Sequence, residues 1–325
     1  SLRDPRPATR DHPSATRDHI LVAIVGPTAS GKSTLAMRLA LELGGEIVNC
    51  DSMQMIRQLK IGTDKPSPED RARVKHHLFD RIDVDEFYSA GMYMKEARAV
   101  CREIASRKNI PIVVGGTGLY FRALTQGIFE GPGKSERLRE RLEKIIKRRG
   151  LDFLYDKLKS RDPESASRLE PGDRVRIVRA LEIHILTGLP ISRIQKEARP
   201  LTGFQLAAFG LNPPRERLYD RINRRVEEMF QIGLLEEVLS LVQAGYPRGS
   251  KGFEALGYRY AFDVLENAMT MQEAIELTQR DTRRYAKRQM TWFRREKGIY
   301  WILGSGDSEE SLRTVLREIG KRHEK

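Results

Sequence analysis

The residues best suited to chemistry lie close to the start of the chain, in Gly26-Pro27-Thr28-Ala29-Ser30-Gly31-Lys32-Ser33. This run fits G-x-x-x-x-G-K-[ST], a loop whose backbone N–H groups turn inward around phosphate oxygens. Its glycines permit the turn. A helix opening at Ser33 would aim the positive end of its dipole at the same anion. Lys32 would neutralise terminal phosphates, and the Ser33 hydroxyl would ligate Mg²⁺. The loop alone does not say which phosphate ester is bound.

Two further runs follow apolar segments. In Asn49-Cys50-Asp51-Ser52-Met53-Gln54, Asp51 admits two readings: a metal ligand, or a general base acting on an acceptor. Gln54 suits bidentate recognition of an amide-like edge such as adenine. Gly115-Gly116-Thr117-Gly118-Leu119-Tyr120 lets the backbone approach a ligand and offers the Thr117 hydroxyl beside it. His76 and His77 are adjacent and would point apart, which argues against a shared metal. Asp80, Asp83, Asp85 and Glu86 read as a solvated acidic loop.

Two stretches are basic. Arg174, Arg176 and Arg179 would share one helix, with Asp173 as its cap. Arg280, Arg283, Arg284, Lys287, Arg288, Arg294, Arg295 and Lys297 surround Tyr285, Trp292 and Phe293. Cations that track phosphates, interleaved with aromatics that stack on unpaired bases, form an RNA-binding chemistry. The bland alternative is a solvated helix face with Trp292 and Phe293 in the core.

The elements that must position these residues alternate between strand and helix. Strands are expected at 20–25, 46–50 and 110–114, and a helix at 33–43 ending on Gly44-Gly45. Another helix is expected at 90–107. This pattern implies an α/β fold with a parallel sheet, and in such sheets ligands sit outside the carboxyl ends of the strands. From about residue 126 to 200 the pattern is helical, with stretches at 135–149, 151–158 and 173–186, and reads as an insertion into a core formed by 20–125 and 201–325. A strand is expected again at 205–211. Helices follow at 215–230, 234–244 and 270–297, the last opened by a Thr270/Glu273 capping box and stopped by Gly298. A strand at 300–303 and a helix at 308–321 would complete the core. Residues 1–19 carry a repeated Ala-Thr-Arg-Asp-His and read as a disordered tail.

Composition excludes several classes. The chain of 325 residues is 39% hydrophobic, enough for a real core, and has no apolar run long enough for a membrane span. Two cysteines exclude a disulfide scaffold and fit a reducing, cytoplasmic setting. The formal net charge of +13 suggests a polyanionic partner.

Taken in order, several motifs carry a resemblance. They are Gly26–Ser33, Asp51-Ser52-Met53-Gln54, Ile61-Gly62-Thr63-Asp64-Lys65-Pro66, His76-His77-Leu78, Val114–Tyr120 and Lys287-Arg288-Gln289-Met290-Thr291-Trp292-Phe293-Arg294. Together they resemble the tRNA dimethylallyltransferase (tRNA isopentenyltransferase) family over about residues 20–303. Arg176-Ile177-Val178-Arg179-Ala180-Leu181-Glu182 and Ala255-Leu256-Gly257-Tyr258-Arg259 fit as well. Two positions depart from the family pattern: Ile56 where Tyr is common, and Gly172 between Pro171 and Asp173 where Asn is common. The zinc-finger extension of eukaryotic members is not in the sequence, so a bacterial-type enzyme is expected.

The resemblance implies a phosphate-loop kinase-like core with a helical insertion. The implied reaction moves the five-carbon dimethylallyl group from dimethylallyl diphosphate to N6 of the adenosine on the 3′ side of the anticodon, with Mg²⁺ and release of diphosphate. Asp51 is then the expected general base, with Thr28 and Thr117 positioning the reacting groups. Gly26, Ala29, Ser30, Gly31, Lys32 and Ser33 would bind the diphosphate, with Arg221 and Arg225 closing over it and Ser33 on the metal. Expected tRNA contacts are Asp51, Ser52, Met53, Gln54 and Thr117; Val175, Arg176, Ile177, Val178 and Arg179; Gly257, Tyr258 and Arg259; and Arg284, Lys287, Arg288, Gln289, Thr291, Trp292 and Arg294. The insertion would hold the anticodon stem-loop from the side opposite the core, and a monomer is expected. Competing readings are an adenylate isopentenyltransferase acting on free nucleotides, a phosphate-loop nucleotide kinase, and an RNA-binding module without chemistry.

Overall fold

Short apolar runs become five strands of one sheet, and a histidine pair adds a sixth at its edge. They are β1 (His19–Val25), β2 (Gly45–Asn49), β3 (His76–His77), β4 (Ile110–Gly115), β5 (Phe204–Leu211) and β6 (Ile299–Ile302). The computed structural model describes residues 19–129 and 131–323. The expected tail therefore lies outside the described residues, except His19, which opens β1. The strand order is β3-β2-β4-β1-β5-β6 and every pairing is parallel. Leu21 to Val25 of β1 are fully buried, as a central strand covered on both faces requires. Val25 lies in register with Gly115 and with Gly210, so β1, β4 and β5 end at one level and their loops emerge together.

The helices follow in chain order. α1 (Lys32–Leu43), α2 (Pro68–Arg73) and α3 (Ala90–Ser106) alternate with the first strands. α4 (Gly118–Thr125), α5 (Glu136–Arg149), α6 (Leu151–Arg161), α7 (Pro163–Ala166), α8 (Arg174–Thr187) and α9 (Ile191–Gln195) come after β4. α10 (Arg215–Gln231), α11 (Leu234–Gln243), α12 (Tyr258–Leu265), α13 (Met271–Phe293) and α14 (Glu309–His323) complete the chain.

Contacts divide the chain into two units. The first holds residues 19–84, 100–116 and 202–323, and the second 85–99 and 117–201. In the first, Val22, Ile24, Ile112 and Phe209 of the sheet pack with Leu35 and Leu39 of α1 and with Leu312 and Val315 of α14. A further core gathers Val226 and Phe230 of α10, Val238 of α11, and Tyr258 and Phe262 of α12. The second unit has its own core of Leu142, Leu154, Leu158, Ile177, Leu181 and Ile183.

The second unit takes in more than the stretch expected from 126. Tyr93 stacks on Tyr120 at 4.2 Å. Arg98 donates to the carbonyls of Leu124 and Arg199 at 3.0 and 2.8 Å. These contacts fasten 85–99 to α4 and to the segment after α9. At its centre, Glu182 is fully buried and accepts from Arg139, Arg179 and the Ser135 N–H. Burial works against its charge, but these donors outweigh burial and hold its carboxyl down at about 2.

Candidate active site

The loop after β1 enters α1 through Gly31 in the left-handed region, at φ 86, with no side chain capping the helix. The first-turn N–H groups are therefore left for a ligand. Gly31 has a second reason to lack a side chain, because a Cβ there would lie 2.9 Å from the Gly306 nitrogen. The Gly306 N–H donates to the Ser30 carbonyl at 2.9 Å, so the segment after β6 braces the phosphate loop from behind. Ala29 packs where Leu218 and Ile222 of α10 meet Ala286 of α13.

Asp51 stands one residue beyond the end of β2 and its neighbouring cysteine. Asn49 fixes it: the Asn49 Nδ2 donates to the Asp51 carbonyl at 2.9 Å, and Asn49 Oδ1 accepts the Asp51 N–H at 2.8 Å. The Asp51 carboxylate accepts the Met53 N–H at 3.0 Å. A cleft of about 490 Å³ brings Asp51 together with Thr28, Lys32, Ser33, Gln54, Arg221 and Arg225. The expected base, phosphate loop and arginine clamp thus share one cavity.

Enclosure shapes the electrostatics of the cleft. Burial pushes the Asp51 carboxyl up, against the pull of the Met53 N–H, Lys32 and Arg225. Burial pushes the Lys32 ammonium down to about 8, with Asp51 partly restoring it. Lys32 Nζ donates to the Pro27 carbonyl at 2.6 Å. Arg225 donates to Thr28 Oγ1 at 3.1 Å and faces Asp64 at 3.3 Å. Arg221 pairs with Asp307 at 2.9 Å.

Several expected contacts sit otherwise than the sequence suggests. Gln54 Nε2 donates to the carbonyls of Thr63 and Asp64 at 3.0 and 2.8 Å, so its amide nitrogen is committed to that turn and not to an adenine edge. Tyr258 is fully buried, and its hydroxyl donates to Glu237 at 2.5 Å and accepts the Gly62 N–H at 3.1 Å. It therefore holds the 61–63 turn instead of facing RNA. Ile177 and Val178 point into the core of the second unit, leaving Val175 and Arg176 as the exposed side chains of their run. Arg179 is tied to Glu182 and to the Pro132 carbonyl. Asp80, expected in a solvated loop, binds Lys65 and Arg71, each at 2.6 Å. His77 binds Glu46 at 2.6 Å and His76 binds the Val74 carbonyl at 2.7 Å, so both histidines serve the sheet edge.

Other expected residues are placed as follows. Thr117 precedes α4 as its N-cap residue and opens the longer segment of the second unit. Ser52 and Met53 are half-buried after β2, and Gly257 introduces α12 with Arg259 exposed as its second residue. Arg284, Lys287, Arg288, Thr291 and Arg294 are exposed along and just beyond α13, Trp292 is half-buried, and Gln289 is buried. The cleft also contains Asp64, Arg224, Glu228 and Asp307, which are not among the expected site residues. A signal existed for two of them. Arg224 shares a helix face with Arg221 and Glu228 at i+3 and i+7 spacing, and Asp307 follows the carboxyl end of β6.

The chain is similar to known proteins along most of its length. The IPP transferase family profile fits residues 54–296. The chain is 47% identical over 291 residues to the tRNA dimethylallyltransferase of Koribacter versatilis, covering 89% of this chain and 94% of that one. It is 49% identical over 283 residues to the tRNA dimethylallyltransferase of Geobacter sulfurreducens, covering 87% and 91%. Among solved structures, the full-length tRNA isopentenylpyrophosphate transferase of Bacillus halodurans aligns with a TM-score of 0.69 at 38% identity, covering 94% of this chain and 97% of that one. A eukaryotic dimethylallyltransferase acting on tRNA aligns with a TM-score of 0.75 at 27% identity, over 93% and 78%.

Proposed function

This chain belongs to the tRNA dimethylallyltransferase family, and from that premise we propose how its cleft works as a prenyltransferase acting on tRNA. The donor is dimethylallyl diphosphate, and the acceptor is N6 of the adenosine on the 3′ side of the anticodon. The observation that carries this reading is the meeting of the phosphate loop and Asp51 in one cleft.

The exocyclic amine of adenine is a weak nucleophile because its lone pair is delocalised into the ring. As N6 bonds to C1 of the dimethylallyl group, the C1–O bond breaks and diphosphate leaves with the bonding electrons. The amine proton passes to Asp51, whose carboxyl is already pushed up towards a more basic range. The N–H groups opening α1, together with Lys32, Arg221 and Arg225, stabilise the charge that develops on the leaving group. Arg221 and Arg225 now bind Asp307 and Thr28, so a diphosphate must draw these cations towards itself. The target base must leave its stack to reach the cleft.

Mg²⁺ fits this donor set. Ser33 offers its hydroxyl at the mouth of the loop and is exposed to the cleft. Among the described residues no cluster of three or more His, Cys, Asp and Glu is arranged to hold a metal. An ion bound chiefly by substrate phosphates and water, with Ser33 as its protein ligand, needs no such cluster. When bound it would supply further charge stabilisation on the diphosphate. The exposed basic face of α13 and the exposed cations of α5 and α8 provide surfaces for the anticodon arm, and the protein acts as a monomer.

Incubation with labelled dimethylallyl diphosphate, Mg²⁺ and tRNA, followed by digestion to nucleosides, tests the reading. Label is expected in N6-dimethylallyladenosine. Label confined to unreacted diphosphate ester would overturn it.

A further inference from the structure

We propose that Gln289 is a positioning residue for the transfer, its one carboxamide setting the spacing between the phosphate loop and the glycine loop after β4. The inference rests on the functional reading above and assigns to Gln289 a role inside the site instead of on the RNA surface.

Gln289 is only 4% exposed, on a helix whose outward side chains are mostly basic. A buried amide must satisfy both of its ends. Gln289 does so with the backbones of two separate loops. Its Oε1 accepts the Thr28 N–H at 2.8 Å, and its Nε2 donates to the Gly116 carbonyl at 3.0 Å. The donor-to-carbonyl and acceptor-from-N–H pattern fixes the orientation of the amide. β4 ends at Gly115 and Thr28 lies beyond β1, so the sheet's own pairing does not reach either group.

The glycine at 116 completes the fit, because a Cβ there would collide with Gln289 Nε2. The missing side chain makes room for the amide. Thr28 is held at both its ends, by Gln289 at the N–H and by Arg225 at the hydroxyl. Gly116 leads directly into Thr117. One turn before Gln289, burial together with the Asp51 charge pushes the Tyr285 hydroxyl up. Arg284, Lys287, Arg288 and Thr291 lie within about one turn on the exposed side of the same helix. The helix that faces RNA is therefore pinned through one buried amide to both loops at the reaction centre. Loss of that amide should disturb the geometry of reaction while leaving the RNA-binding cations in place.

The test compares wild type with Gln289→Ala, Gln289→Met and Gly116→Ala, measuring kcat, KM for dimethylallyl diphosphate, tRNA Kd and melting temperature. Met retains the buried volume without the hydrogen bonds, so it decides the matter if Ala fails to fold. We expect kcat to fall about 10- to 100-fold in both Gln289 variants, the range for a misplaced reacting group, with tRNA Kd unchanged. Gly116→Ala should show a similar loss, and combining it with Gln289→Ala should add little, since the two act on one contact. Normal kcat in the Met variant, a change in tRNA Kd without a change in kcat, or additive losses would overturn the inference. An active wild type with an equally active Met variant overturns this inference alone, whereas a wild type without transfer overturns the functional reading and this inference with it.

Discussion

Lys32 and Asp51 alter each other because they share an enclosed cleft. Burial has brought Lys32 down to about 8, so its charge is present below that pH and lost above it. Asp51 is pushed up by burial, so it becomes an effective base only above a pH higher than an ordinary carboxylate requires. The kcat/KM for dimethylallyl diphosphate should therefore fall as pH rises through about 8 and also fall at acid pH, reporting the free-enzyme groups. Asp51→Ala should lower turnover by about 10²–10⁴-fold and abolish the acid limb. A steady-state pH profile of both proteins checks this, and a wild-type profile flat through pH 8 contradicts it. Both residues were legible in the sequence because strand ends in a parallel sheet converge on one edge. Gln54, Tyr258 and Gln289 were not. Tyr258 and Gln289 bind partners far along the chain, Gly62 at 196 and Thr28 at 261 positions. Gln54 folds back onto carbonyls 9 and 10 positions on, and no local pattern shows where a polar side chain will be buried.

Among the elements, the edge of the sheet shows what a short polar strand contributes. In the sequence β3 is only a histidine pair, yet His77 places its ring on Glu46 of β2. Burial would raise the Glu46 carboxyl, but Asn109, His77 and Arg107 outweigh it and hold it at about 2. A folded-state value below the ordinary 4.5 means that stability is fully present above pH 4.5 and is lost as pH falls towards 2. Glu46→Gln should cost about 3 kcal/mol at neutral pH and flatten the acid-unfolding curve, as urea melts at several pH values would show; an unchanged curve contradicts it. α13 was legible from its capping box, which is present between Thr270 and Glu273. Its end was not: the helix stops at Phe293, before Lys297. The N–H groups of Arg295 and Glu296 bond to the carbonyls three residues back, tightening the chain into a turn before β6. α12 does not stand out in the sequence because its eight residues make barely two turns, although they are clearly two-faced. The exposed cations of α13 should grip phosphates. Replacing Arg284 and Arg288 with Ala should weaken tRNA binding and reduce the slope of log K against log salt by roughly one to two; an unchanged slope would leave that face merely solvated.

On the scale of the whole molecule, the net charge of +13 exceeds what one small diphosphate requires. The phosphate loop contributes Lys32 alone, while α5, α8 and α13 each carry exposed cations. Parallel strand topology was legible because apolar runs alternated with helical periods. The division into units was less so, since the ties from Tyr93 and Arg98 to α4 and Arg199 are tertiary contacts. A chain built around this cleft alone would serve a free nucleotide equally well; the added basic helices distinguish a macromolecular acceptor. The most direct measurement offers labelled dimethylallyl diphosphate to the protein with AMP and tRNA together in one tube, and follows the label. Label should accumulate in the tRNA, at the adenosine 3′ to the anticodon, with none in AMP. Label in AMP and none in the tRNA would contradict the assignment of this chain's acceptor.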